Sequence, residues 1–261
     1  MGLFDAFKKK NCDICGGEIG LLGNRKLEDG NMCKHCARKL SPWFDERRHS
    51  TVEQINAQLA YREENREKLA QFNVTRVLGD NYCVYLDEDA GNFLVTDEAE
   101  RNWQEANPDI IPFADVTGCK LDIDESKTEL KREDKDGNEV SYVPPRFSYD
   151  YDFDMVINVR HPYFDDMRFR LNSSNVTIES IGARRFGTTG GFNPENNVEY
   201  RHYKEMGEEI KEALLTVRSE ARAEAKAAAA PKAAVTCPWC GATTMPDAKG
   251  CCEYCGGAVN G

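Results

Sequence analysis

The residues best suited to chemistry in this chain are its cysteines, and their spacing asks for metal ions. Eleven cysteines fall into two tight clusters and two singles. The first cluster is Cys12-Asp13-Ile14-Cys15, answered seventeen residues later by Cys33-Lys34-His35-Cys36. The second is Cys237-Pro238-Trp239-Cys240-Gly241, answered eleven residues later by Cys252-Glu253-Tyr254-Cys255-Gly256-Gly257. A CxxC pair wraps two thiolates around one ion in a tight turn, and a second pair completes a tetrahedral site. The expected metal ligands are therefore Cys12, Cys15, Cys33 and Cys36 at one end and Cys237, Cys240, Cys252 and Cys255 at the other, holding two zinc ions per chain. Four sulfurs also hold iron, which remains the alternative. Redox catalysis would use one CxxC at a helix start, whereas each pair here has a matching pair. Cys251 reads as a spare thiol able to exchange with Cys252. Within a complete pair, His35 reads as a surface residue, and Cys83 and Cys119 as small core residues of apolar strands.

Those ligands need short elements to present them. Gly16 and Gly17 supply the freedom to finish the first turn. Ile19 to Leu22 and Arg25 to Leu27 predict a hairpin with Gly23-Asn24 at its tip, and Asp29-Gly30 a turn into the second pair. Ala37 to Leu40 reads as helix, halted near Ser41-Pro42. Knuckle, hairpin and helix-borne pair together look like a treble-clef zinc module. Some fifty residues bury too little apolar surface to stand unaided, so the ion would supply folding free energy. At the other end, two knuckles with a turn over Asp247 to Gly250 predict a zinc ribbon.

Between the two ends the pattern changes. Ser50 to Glu53 is a capping-box pattern, and Val52, Ile55, Leu59, Leu69 and Phe72 fall near helical spacing, which predicts a connecting helix over 51–72. Strands are expected at Val74–Leu78, Tyr82–Leu86, Asn92–Val95, Val116–Ile123, Glu139–Val143, Tyr151–Val159, Met167–Leu171 and Val176–Ile178. Alternation over Tyr151, Phe153, Met155, Ile157 and Val159 leaves Asp152, Asp154 and Asn158 on a wet face. From Val198 a helix carries Met206, Ile210, Leu214 and Val217 on one stripe, able to cover the sheet. Its alanine-rich continuation has no stripe and reads as a linker.

The element order of the middle resembles a bacterial pleckstrin-homology-like or GRAM-like domain, which implies an antiparallel β-barrel or sandwich with a closing C-terminal helix. The N-terminal run Cys-Asp-Ile-Cys-Gly-Gly-Glu-Ile-Gly, with Gly-Asn-Arg-Lys-Leu-Glu-Asp-Gly and Leu-Ser-Pro-Trp-Phe, is similar to a family of uncharacterised bacterial proteins described only as a domain of unknown function. That resemblance implies Cys12, Cys15, Cys33 and Cys36 as ligands and supplies no activity. The expected fold class is α+β multidomain: zinc module 1–50, connecting helix 51–73, PH-like β domain 74–217, linker 218–235 and zinc ribbon 236–261.

Charge narrows the partners. The chain carries a net charge of -11, but residues 1–50 hold ten Lys/Arg against seven Asp/Glu, while the middle carries most of the acid. An acidic centre repels phosphate backbones and phosphoinositides, so nucleic acid would be met by Lys8 to Lys10, Arg25, Lys26, Lys34, Arg38, Lys39, Arg47 and Arg48. No apolar run reaches membrane-spanning length, and Lys8, Lys9 and Lys10 follow Phe4 and Phe7 in the wrong order for a signal peptide, so a cytoplasmic setting and an N-terminal helix are expected. The loop Gly182–Gly191 lacks phosphate-cradling order. Asp150, Asp152, Asp154, Asp165 and Asp166 lack the calcium-loop pattern. His161 and His202 have no partner that sequence can place beside them. The reading is a non-enzymatic interaction protein that displays Trp43 or Trp239 and docks a protein or peptide, with nucleic-acid binding as the alternative.

Overall fold

Short strands bracket the first cysteine-bearing turn, and a strand runs directly into the helix that carries the second pair. A computed structural model describes residues 10–97, 103–180, 192–229, 234–245 and 250–259. Two units, Met1–Ser219 and Glu220–Gly261, divide the chain. Phe4, Phe7, Lys8, Lys9, the Gly182–Gly191 loop and most of the Asp247–Gly250 turn lie outside the described residues.

In the first unit, β1 (Lys10–Asn11) pairs antiparallel with β2 (Glu18–Ile19), and β3 (Asn24–Lys26) pairs with β4 (Asn31–Cys33). The hairpin expected between residues 19–22 and 25–27 does not form. Its supposed tip closes instead as a tight turn, Gly23 N–H to Gly20 C=O at 2.9 Å, and the flanking strands pair outward. Asp29-Gly30 is the stronger hairpin signal, and pairing across it brings Cys33 back towards the first pair. The next helix, α1 (Lys34–Ala37), starts before the expected Ala37 because the Cys33 sulfur caps it by accepting the Cys36 N–H.

A 3-10 turn over Glu46–His49 leads into α2 (Val52–Leu69). The capping box exists one residue later than read: Thr51 caps, with Gln54 reaching back. Ser50 is not available, because its hydroxyl donates to the Glu46 carbonyl at 2.9 Å. The buried stripe of α2 is Ile55, Gln58, Arg62, Asn65 and Leu69, three of which are polar. Ile55, with Val52 and Leu59 partly buried, completes a small core with Ile19, Leu27, Met32, Leu40 and the sulfurs of Cys12 and Cys36. The first turns of α2 thus belong to the cysteine-bearing module. Gln58 is fully buried, and its side-chain amide makes no hydrogen bond. Replacing it by Met, of similar shape, is expected to raise stability by about 1 kcal/mol, readable as a higher denaturant midpoint at unchanged slope.

The remainder of the unit is two antiparallel sheets. β5 (Arg76–Leu78), β6 (Cys83–Asp87), β7 (Asn92–Thr96) and, after α3 (Trp103–Ala106), β8 (Ile111–Pro112) lie in sequence order. In the second sheet, β9 (Val116–Glu133) runs along one edge of β10 (Glu139–Val159), and β11 (Asp166–Arg170) and β12 (Val176–Ser180) share the other. The two stretches expected within 139–159 are one strand with a register break between Ser141 and Arg146. Among the described residues the sheets do not close into a barrel. Closure needs every strand paired on both sides, and β9 pairs only with β10.

The two sheets share one core, in which Val84, Leu86, Phe93 and Val95 meet Phe153, Met155, Ile157 and Met167. The alternation read in β10 holds: Tyr151, Phe153, Met155, Ile157 and Val159 are buried. On the wet face, Arg168 reaches Asp122 and Asp154, and Arg170 reaches Asp152 and Asp154, all at 3.0–3.5 Å. α4 (Val198–Ala229) covers the core with Tyr200, Ile210, Ala213 and Leu214, while Met206 and Val217 are partly buried against it. Helix continues past 218 through the alanine-rich stretch read as a linker, because alanine has the highest helix propensity even without an apolar face to bury. In the second unit, β13 (Val235–Thr236) pairs with β14 (Thr243–Thr244). Among the described residues no helix is long and apolar enough to cross a membrane.

Candidate metal centres

Three of the four CxxC pairs are built alike. In each, the first cysteine accepts a hydrogen bond at its carbonyl from the N–H four residues on: Gly16 to Cys12 at 2.8 Å, Gly241 to Cys237 at 2.9 Å and Gly256 to Cys252 at 2.8 Å. Its own N–H donates to the carbonyl five residues on, at Gly17, Ala242 and Gly257 respectively. The residue after the second cysteine must adopt a left-handed conformation to close this loop, with φ of +73°, +71° and +69° at Gly16, Gly241 and Gly256. Glycine takes that conformation without a Cβ penalty. The fourth pair, Cys33 and Cys36, sits at the start of α1 instead. A knuckle thus faces a helix-borne pair at the N-terminal end, and two knuckles face each other at the C-terminal end.

Each set of four sulfurs converges. The Sγ atoms of Cys12, Cys15, Cys33 and Cys36 lie within 4.8 Å of one another, and so do those of Cys237, Cys240, Cys252 and Cys255. Neighbouring sulfurs are 3.8 Å apart for Cys15 and Cys33, 3.6 Å for Cys237 and Cys255, and 3.8 Å for Cys240 and Cys252. A Zn–S bond of about 2.3 Å places tetrahedral sulfurs about 3.8 Å apart, so both quartets have the size zinc requires. Each can hold a metal ion.

Backbone donors prepare the sulfurs for that role. Burial opposes the Cys12 thiolate, yet the N–H groups of Cys15, Cys33 and Ile14 outweigh it and bring the thiol down to about 6. The Cys33 N–H reaches the Cys12 sulfur at 3.2 Å. Cys252 behaves alike: burial opposes, the N–H groups of Cys255 and Tyr254 prevail, and the thiol falls to about 6. The last sulfurs go the other way. Burial and the sulfurs of Cys33, Cys15 and Cys12 push Cys36 far above the ordinary thiol range. The Gly257 N–H favours the Cys255 thiolate, but the sulfurs of Cys240 and Cys237 push it up to about 12. Four thiolates so close repel one another, and a divalent cation removes that conflict.

Supporting contacts hold the pairs in register. Asp13 accepts the Asn31 N–H at 2.6 Å while its own N–H donates to the Asn31 carbonyl at 2.8 Å, which ties the first knuckle to β4. In the second unit, buried Thr244 accepts the Glu253 N–H at 3.4 Å, and the Trp239 indole donates to the Ala258 carbonyl at 3.1 Å. Cys251 stands outside the quartet and forms a β-bridge with Ala258. His35 is exposed on α1. Cys83 and Cys119 are half-buried in β6 and β9, and burial pushes the Cys119 thiol up to about 12.

The two tryptophans expected on display differ. Trp239 is 75% exposed, whereas Trp43 packs 6.5 Å from Tyr82 and 6.3 Å from Phe169, against the central core. The Trp43 N–H donates to the Ser41 hydroxyl at 3.2 Å, a local contact that residue spacing does not reveal. His161 bonds to the Tyr61 hydroxyl at 2.8 Å and stacks on Phe164, and His202 lies 3.0 Å from Asp80. Two features escaped the reading altogether. Leu21 and Leu22, read as strand, are 87% and 89% exposed on the Gly20–Gly23 turn, although the flanking glycines were a usable signal. The other is the polar stripe of α2.

Residues 10–58 match the model of a domain of unknown function, DUF4428. The matched span takes in the whole N-terminal quartet and the first turns of α2, the helix that completes its core. Comparison with curated proteins and with solved structures found no match.

Proposed function

We propose that the chain is a non-enzymatic, zinc-stabilised interaction protein, in which two structural zinc ions shape the ends of a central protein- or peptide-binding β domain. The observation that carries this reading is that each quartet is complete in cysteine, and closed four-sulfur sites are structural, with no coordination position left for a substrate. Treble-clef-like and ribbon-like modules suit the two arrangements of pairs. For the centre, four strands followed by a second sheet and a covering helix support a pleckstrin-homology-like ancestry with open sheet edges. At the ribbon, Trp239 and Tyr254 occupy the same place in their knuckles, two residues after the first cysteine, and are 75% and 72% exposed. Exposed aromatics of this kind anchor protein contacts.

Metal analysis of protein purified without added metal tests the first half. The expected content is two zinc ions per chain, falling to one in Cys252→Ser. For the second half, a specific protein retained by the full chain from its native cells should be lost on Trp239→Ala with Tyr254→Ala while both metals remain bound. Retention unchanged by that pair would count against the ribbon as the docking site, and iron in place of zinc would overturn the metal assignment.

A further inference from the structure

Leu21 and Leu22 are adjacent, carried on a tight turn between Gly20 and Gly23, and left almost wholly in water at 87% and 89% exposure. Isolated surface leucines need no explanation, but two in succession on a convex tip do. Cations lie at and near the base of this tip. The Arg25 guanidinium holds the Leu22 carbonyl at 3.4 Å and the Asn24 carbonyl at 3.3 Å. Lys26 is exposed beside it, and Arg47 reaches back to the Lys26 carbonyl at 2.6 Å. Lys10 lies across the β1–β2 pair from Ile19, two residues before Leu21.

These cations crowd one another. Burial, then the charges of Arg48 and Arg25, hold the Arg47 guanidinium below its ordinary value. Glu28 shares a shallow hollow with Lys26 and Arg48, so the cluster is partly but not wholly balanced from within. A group of like charges around an apolar tip is favoured where an anionic plane adjoins an apolar phase.

We propose that the Gly20–Gly23 tip of the N-terminal module docks on an anionic lipid surface, with Leu21 and Leu22 entering the acyl boundary and Arg25, Lys26 and Arg48 meeting the headgroup phosphates. Either contribution alone binds weakly, and two together give a stable peripheral attachment. The side chain held against the base of the tip is the Arg25 guanidinium rather than an apolar rim, which fits the polar-to-apolar step of a bilayer better than the continuous apolar rim of a protein groove. Nucleic acid would use the cations but has little use for the leucines. This surface belongs to a different module from Trp239 and stands without the protein-docking role proposed above.

Co-sedimentation of the full chain with vesicles tests it, using phosphatidylcholine alone and phosphatidylcholine mixed with phosphatidylglycerol. The wild-type chain is expected to sediment with the mixed vesicles and much less with the neutral ones. Leu21→Ser with Leu22→Ser should weaken partitioning at least about tenfold. Arg25→Gln with Lys26→Gln should weaken it by about fivefold per charge, an effect that high salt removes. Both leucines are solvent-exposed, so the leucine variant is expected to keep its metal content and circular dichroism, which confirms that folding is intact. Failure of the wild-type chain to sediment with anionic vesicles overturns the proposal, as does a leucine variant that sediments like wild type. Binding of a short duplex oligonucleotide that is lost in the cation variant, kept in the leucine variant and unaccompanied by vesicle binding also overturns it, and gives the basic face to nucleic acid.

Discussion

Cys36→Ser is expected to lower the unfolding midpoint of the whole Met1–Ser219 unit by roughly ten degrees or more, while Cys252→Ser leaves that midpoint unchanged and unfolds only the C-terminal ribbon. The asymmetry comes from what surrounds each quartet. In the second unit the buried apolar side chains among the described residues are Cys237 and Cys252, themselves ligands, so without the ion no core remains. The N-terminal module has a core of its own in Ile19, Leu27, Met32, Leu40 and Ile55, but one too small to stand alone. Metal binding in such modules is worth on the order of 10 kcal/mol of folding free energy. Here the consequence spreads, because Trp43 packs on Tyr82 and Phe169, and Phe44 on Tyr163, across the boundary between the module and the sheets. Amide exchange in β6 and β11 reads the effect: protection there should fall in Cys36→Ser and stay unaltered in Cys252→Ser. Equal protection in both variants would mean that module and sheets are energetically independent.

Arg62→Met is expected to cost about 3–5 kcal/mol by stranding a buried carboxylate, which in a unit of this size lowers the melting temperature by on the order of 10 °C. Arg62 is 4% exposed and Asp109 0%. They meet at 2.6 Å, and Asp109 also accepts the Ser41 hydroxyl at 2.7 Å while Arg62 donates to the Lys39 carbonyl. One ion pair thus joins the end of the cysteine-bearing module, the middle of α2 and the segment leading into β8. Asp109→Asn should cost a similar amount by leaving the guanidinium uncompensated. The double variant Arg62→Met with Asp109→Asn removes both buried charges and is expected to cost less than the sum of the two single changes. Calorimetry on the four proteins measures the coupling. Additive losses, or single losses under about 1 kcal/mol, would show that the pair contributes no more than a surface contact.

Neighbouring residues extend the same seam. Asn65 donates to Asn107 at 2.9 Å and to the Pro108 carbonyl at 2.8 Å, and accepts the Ile110 N–H at 3.0 Å. Asn107 donates to the Arg62 carbonyl at 2.9 Å and holds φ at +53°, a conformation asparagine tolerates better than most residues. A polar seam with directional partners fixes one orientation of module against sheet, where an apolar seam would tolerate sliding.

Local chemistry alone determined three of the four cysteine pairs, because a CxxC turn and its closing glycine are made within six residues and need nothing from the rest of the chain. The same is true of the alternating face of β10 and the apolar stripe of α4, whose periods are printed in adjacent residues. Tertiary structure decided the rest. Arg62 and Asn65 fall at helical spacing, yet nothing near them in sequence shows that they are buried until Asp109, Asn107 and the Lys39 carbonyl arrive from distant positions to satisfy them. Trp43 looked displayed because nothing near it in sequence shows that Phe169 will meet it. Leu21 and Leu22 looked like strand because apolar pairs usually are buried, and only the outward pairing of their neighbours on both sides leaves them in water. A burial pattern follows from sequence when it repeats at the period of one element; it does not when it depends on one particular partner, polar or apolar, delivered by the fold from a distant position.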